Sequence, residues 1–147
     1  MKKRILSLLL ALVMVLVLVP TVALAEGAPT MSGTCGASGN ENNVKWELTD
    51  VDGDGKYTLT ISGTGAMKNF TVNSKNDDRP WKDFISSITK GVVAQGVTNV
   101  GDRSFYNCSS MTSVELTDGI ILITGGAFEN CTSLTSLTLP KGLEKLM

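Results

Sequence analysis

Along residues 88–147 the apolar positions follow neither a strand nor a helix period but return at fixed points of a longer unit. Phe105 is answered by Phe128, Cys108 by Cys131 and Met111 by Leu134, each 23 positions on, and Gly96 by Gly119 and then Gly142. Val97, Ile120 and Leu143 keep the same interval, as do Thr89, Thr112 and Thr135. An offset held across so many positions marks a repeat unit, and one this short cannot bury its own apolar face, so it must stack on its neighbours. Within a unit, Leu134, Leu137 and Leu139 give an L-x-x-L-x-L spacing, matched by Met111, Val114 and Leu116 and more loosely by Ile88, Gly91 and Val93. This spacing predicts a short inner strand, a turn centred on Gly119, a return through Ile120 and Ile123, and Phe128 with Cys131 filling the middle of the coil. The larger side chains stabilise by about 1.5–3 kcal/mol each when fully buried, and the stack, rather than one rung, is the stable object.

Upstream the period changes. Val44, Trp46 and Leu48 alternate with polar residues, and so do Tyr57, Leu59 and Ile61 beyond the segment TDVDGDGK, which predicts two half-buried strands joined as a hairpin. Trp81, Phe84, Ile85 and Ile88 fall on one face of a short helix, with Asp77 and Asp78 near its N-terminus and Pro80 suited to its first turn. Hairpin and helix together, residues 44–87, are expected to cap the open end of the repeats. Residues 26–43, EGAPTMSGTCGASGNENN, are rich in Gly, Ser and Asn and read as a flexible linker. Residues 1–25 carry Lys2, Lys3 and Arg4, an apolar run from Ile5 to Val19, Pro20, and the small-residue site Ala23-Leu24-Ala25. That is the pattern of a secretory signal peptide cleaved before Glu26, with an uncleaved membrane anchor as the alternative.

The phrases FYNCSSMTSVELTDGI and FENCTSLTSLTLPKGL resemble the BspA-like leucine-rich repeats, a 23-residue class of bacterial secreted and surface proteins. The resemblance covers residues 88–147, and Cys35 to Trp81 is similar to the segment that often precedes such arrays. It implies a curved solenoid used for protein or glycan binding, including adhesion to host matrix, and it implies no catalytic residue. The fold expected is therefore mainly β with short helical elements, a leucine-rich-repeat solenoid preceded by a β-hairpin and helix cap. Two units are complete and a third is truncated at Met147, which leaves the predicted inner strand Leu134–Leu139 as a bare edge. Either the chain is the N-terminal piece of a longer array or something covers that edge.

Composition removes whole classes of function. Without Lys2, Lys3 and Arg4, the 13 basic residues fall to ten against 14 acidic ones, a net charge of −4, and no basic cluster interleaves with aromatics, so nucleic-acid binding has no support. Histidine is absent, which takes away the usual general base and the commonest zinc ligand. Neither a G-x-S-x-G elbow nor a phosphate-binding loop is present. Asp77, Asp78, Asp83 and Glu129 read as a solvated face rather than a glycoside-hydrolysing pair. The chain is read as no enzyme, needing no cofactor and no metal.

Asp50, Asp52 and Asp54 have the spacing of a calcium loop, yet the twelfth position, where such a loop needs a bidentate carboxylate, is Ile61. Asp-Gly pairs are ordinary hairpin chemistry, so the segment reads as a turn, with a weak surface calcium contact as the alternative. Cys108 and Cys131 read as two buried free thiols at equivalent positions, or else as a bridge between neighbouring rungs. Cys35 is free or pairs with a partner. The binding face expected on the inner strands comprises Ser113, Glu115, Thr117, Ser136 and Thr138, contacting a protein or glycan partner at the bacterial cell surface, with the membrane met only through the signal peptide during export. A structural spacer, with recognition located elsewhere in a larger surface protein, is the second reading.

Overall fold

A computed structural model of the chain describes residues 30–147. The signal-peptide reading lies outside these residues. Strand β1 (Met31–Thr34), β2 (Val44–Thr49) and β3 (Tyr57–Gly63) form an antiparallel meander. The predicted hairpin is present, with Trp46 opposite Ile61 and Leu48 opposite Leu59. Val44, Trp46 and Leu48 are buried while Lys45 and Glu47 between them are exposed, as a period of two requires.

The expected linker is ordered over its described residues, 30–43. β1 runs antiparallel to β2, the amide of Cys35 donates to Val44 at 2.8 Å, and the Cys35 carbonyl accepts from Lys68 at 2.8 Å. Composition misleads here because its glycine is present for proximity. A Cβ on Gly33 would lie 2.7 Å from Nε1 of Trp46, so only glycine lets β1 close over that indole.

The predicted helix is also different. A two-stranded ribbon, β4 (Val72–Asn73) and β5 (Asn76–Asp77), precedes a 3-10 helix at Lys82–Ser87. Ile88, expected on the helix, opens strand β6 (Ile88–Val93). Two 3-10 turns place Phe84 and Ile85 against the core as well as an α-helix does, and the β-branched Ile88, Thr89, Val92 and Val93 then favour extended backbone. Asp77 and Asp78 cap nothing: the residue at the N-cap is Trp81, with no side-chain cap.

β6 pairs in parallel with β3 and, on its other side, with β8 (Ser113–Leu116), so the five-stranded sheet runs β1-β2-β3-β6-β8. Between β6 and β8, β7 (Asn99–Val100) starts a second, parallel sheet completed by β9 (Leu122–Ile123) and β10 (Lys145–Leu146). The registers reproduce the repeat: Lys90 faces Ser113, Asn99 faces Leu122, and Leu122 faces Lys145. Backbone bonds follow the same interval, with Thr112 donating to Thr89, Ile121 to Thr98 and Glu144 to Ile121, each at 2.9 Å. The boundary drawn at 87/88 runs through a continuous sheet.

The predicted strand Leu134–Leu139 does not form. Leu134 and Leu137 are half-buried, Leu139 is 46% exposed, and among the described residues no backbone hydrogen bond joins this segment to β8. Elsewhere one core joins hairpin and repeats. Trp81 meets Trp46 at 5.8 Å and Phe70 at 5.1 Å between ring centroids, and its Nε1 donates to the Ser104 carbonyl at 3.1 Å. Phe105, Cys108, Met111 and Ile120 are fully buried.

Candidate functional site

Because side chains alternate across a strand, the five-stranded sheet has one face in the core and one outside. Cross-strand register assembles the outer face row by row. One row is Thr49, Thr58, Lys90 and Ser113; the next is Ser32, Glu47, Thr60, Val92 and Glu115; a third is Thr34, Lys45 and Ser62. Lys90 Nζ reaches Glu115 Oε1 at 2.6 Å across two strands. Hydroxyls dominate, and Lys45 and Lys90 balance Glu47 and Glu115. No aromatic ring lies among these residues, since Trp46 and Tyr57 point to the opposite side. Such a face presents many short donors and acceptors on a rigid support and no deep anchor.

The expected binding residues divide. Ser113 and Glu115 are exposed on β8 and belong to this face. Thr117 lies beyond the strand, half-buried, and its Oγ1 is buried without a partner. Ser136 and Thr138 are exposed but stand outside the hydrogen-bonded sheet. Missed were Lys45, Glu47, Thr58, Thr60 and Ser62. Their signal was present as the polar half of VKWELT and YTLTIS; the missing step was the parallel pairing of β3 with β6, which puts hairpin and repeats in one plane.

The other candidates resolve into structure. Asp50 is buried and spends both oxygens on its own loop, accepting from the amides of Gly53 at 2.8 Å, Asp54 at 3.2 Å and Gly55 at 2.9 Å. Asp54 pairs with Lys56 at 3.0 Å, and Ile61 is buried in the sheet. That is the geometry of a turn.

Asp77 and Asp78 do not converge as a catalytic pair. Asp77 forms a two-pronged bridge with Arg79, and Asp78 binds Lys68 Nζ and the Thr71 amide, both at 2.7 Å. Burial opposes the charged form of each, but the hydrogen bonds and positive charge of Arg79 and Lys68 outweigh it and hold both carboxyls below the usual range. A general acid needs the opposite displacement.

Arg79 itself was not singled out by its sequence context. It is buried to 2% exposure, and its Nη1 donates to the carbonyls of Tyr106 at 2.6 Å and Arg103 at 3.4 Å. It ties the end of a turn, Gly101–Tyr106, to the β4–β5 ribbon.

All three cysteines are free and buried. Burial pushes Cys35 and Cys108 up to about 12, with Cys131 contributing at Cys108, and pushes Cys131 up to about 11. Reactive thiols are displaced the other way. Cys131 instead donates to the Phe105 carbonyl at 3.1 Å.

Comparison with known proteins bears on the repeats. Residues 83–147 match the model of the BspA type leucine rich repeat region. No curated protein matches the chain. Among solved structures, a leucine-rich repeat protein from Eubacterium ventriosum is similar at 33% identity with a TM-score of 0.59, over 74% of this chain and 26% of that one. A leucine-rich repeat protein of T. pallidum is similar at 20% identity with a TM-score of 0.41, over 67% of this chain and 49% of that one. The chain thus spans about a quarter of the first of these.

Proposed function

On the premise that residues 83–147 are a BspA-type leucine-rich repeat region, we propose that the chain is an exported binding module whose coils stack as a solenoid and whose outer sheet face grips a macromolecular partner at the bacterial cell surface. Leucine-rich repeat proteins are in general protein-binding modules and typically non-enzymatic scaffolds, and BspA-like members are typically surface or secreted proteins. The observation that carries the reading is the unbroken registered face from Ser32 on β1 to Glu115 on β8. Its lack of an aromatic ring for stacking on sugars favours a protein over a glycan, and host matrix proteins are the first candidates. Export rests on the pattern of residues 1–25.

The test is a pull-down of matrix proteins and a glycan panel with the full chain and with a variant carrying Lys45→Glu, Glu47→Lys, Ser113→Lys and Glu115→Lys. All four are exposed, so circular dichroism should be unchanged while capture is lost. Undiminished capture with the fold intact rejects this face. The 26% coverage of the Eubacterium ventriosum protein supports a second reading, in which these coils are a spacer within a larger surface protein; capture by neither form favours it.

A further inference from the structure

Cys108 and Cys131 hold equivalent places in adjacent coils, and the backbone beside them is in register. The amides of Phe105 and Asn107 donate to the carbonyls of Ala127 and Glu129 at 2.8 and 2.9 Å. Phe105 stacks on Phe128 at 5.2 Å and 10°, and Asn130 Nδ2 donates to Asn107 Oδ1 at 2.9 Å. Both thiols are free and belong to the core, Cys108 fully buried and Cys131 9% exposed. The Phe105 carbonyl accepts from the Cys108 amide and from Cys131 Sγ, each at 3.1 Å, so one oxygen links the two residues. Cys108 feels the Cys131 thiol as a neighbouring charge, and the Arg79 guanidinium acts on both sulfurs.

Equivalent atoms of stacked coils are separated by one strand spacing, about 4.8 Å. A disulfide needs its two Cβ atoms at about 3.5–4.5 Å, so a bond between stacked cysteines must draw the coils together against the registered amides and the ring stack. A cation in line between two sulfurs, about 2.3 Å from each, spans about 4.6 Å. The stack provides that span without moving the backbone. No further Cys, Asp or Glu gathers with the pair among the described residues, and the chain has no histidine. A cation that needs four ligands, such as zinc(II), is therefore two short, whereas a soft ion of the copper(I) class is satisfied by two thiolates.

We propose that Cys108 and Cys131 form a two-coordinate thiolate site for a soft monovalent cation of the copper(I) class, held in line between adjacent coils. Each thiol gives its proton to the medium as its sulfur binds, so two S–H bonds are exchanged for two metal–sulfur bonds and no electron changes hands. Two thiolates and one monovalent cation leave a single negative charge, placed where the Arg79 cation acts on both sulfurs. The site is separate from the outer sheet face and stands whether or not that face binds.

The probe is silver(I), an air-stable ion of the same class, titrated into the reduced full chain with each addition left to reach completion. Native mass spectrometry should show saturation at one silver per chain, with two protons lost, and the melting temperature should rise as the site fills. Cys108→Ala or Cys131→Ala should weaken binding at least about tenfold, while Cys35→Ala leaves it unchanged. A second measurement needs no variant: after one equivalent of silver, alkylation in denaturant should modify Cys35 and spare Cys108 and Cys131. Absence of binding, separate loading of each of the three cysteines, or binding that survives loss of either ligand in a folded variant overturns the proposal. So does an equal rise in melting temperature with zinc(II), or ready closure of a Cys108–Cys131 disulfide by a small-molecule disulfide in the folded chain.

Discussion

Gly91 on β6 lies directly beneath the ring of Phe105: a Cβ there would stand 2.9 Å from the ring edge, 3.1 Å from Val114 Cγ2 and 3.2 Å from the Met111 sulfur. Gly91 occupies the register position held by Val114 in the next unit. The first rung thus gives up its inner-wall side chain to make room for the phenylalanine of the second. Restoring the repeat residue with Gly91→Val overpacks a full core, and a loss of about 1–3 kcal/mol is expected. Chemical denaturation of the two forms measures it; a variant as stable as the parent shows that Phe105 has room to move.

Arg79 is the buried charge on which the ribbon and the first repeat turn depend. Arg79→Met strands the Asp77 carboxylate and frees the carbonyls of Arg103 and Tyr106, with an expected cost of about 3 kcal/mol. Protease cleavage between Val72 and Asp77 should accelerate in the variant before global unfolding does.

The same pair sets an acid limit. The carboxyls of Asp77 and Asp78 are held below the ordinary aspartate value of 3.8, so their contribution to stability is fully present above that value and is lost as pH falls through the lower, folded-state values. Asp77→Asn and Asp78→Asn together should flatten the fall in melting temperature below about pH 4. An unchanged acid limb places the limit in other carboxylates.

Cysteine gives the alkaline counterpart. The Cys35 and Cys108 thiols rise from 9.0 to about 12 on folding; the folded state holds these protons more tightly, so stability is present below pH 9.0 and declines as pH rises towards about 12. A thiol reagent at pH 8 should titrate none of the three buried cysteines in the native chain and all of them in denaturant. Prompt native reaction contradicts the burial.

Asp50 organises the hairpin loop through three backbone amides. Asp50→Ala should destabilise by about 1–3 kcal/mol, and added calcium should leave the melting temperature of the parent unchanged. A calcium-dependent rise removed by the same substitution identifies a metal loop instead.

The repeat was legible because each of its positions is tied to a physical demand that recurs every 23 residues: a buried ring at Phe105 and Phe128, a small thiol at Cys108 and Cys131, and a left-handed Asn107 and Asn130, both at φ 61°. The β2–β3 hairpin was legible from its alternation. What pattern could not supply was long-range. Nothing local about Gly33 announces the indole of Trp46, and nothing local about Arg79 announces carbonyls more than twenty residues away. Ile88 was assigned to a helix because four apolar residues on one helical face fit a 3-10 turn followed by a strand equally well. The outer sheet face was half visible for the same reason: Ser113 and Glu115 follow from the repeat, whereas Lys45 and Glu47 join them only through the parallel pairing of β3 with β6.

That pairing makes β3 a strand of mixed allegiance, antiparallel to β2 and parallel to β6. One side is finished by a hairpin that pairs with its own neighbours in sequence; the other meets the repeats, where Lys90 on β6 faces Ser113 on β8 one 23-residue step on. The hairpin therefore fixes the register against which β6, and through it β8, is laid down, each about 4.8 Å from the last.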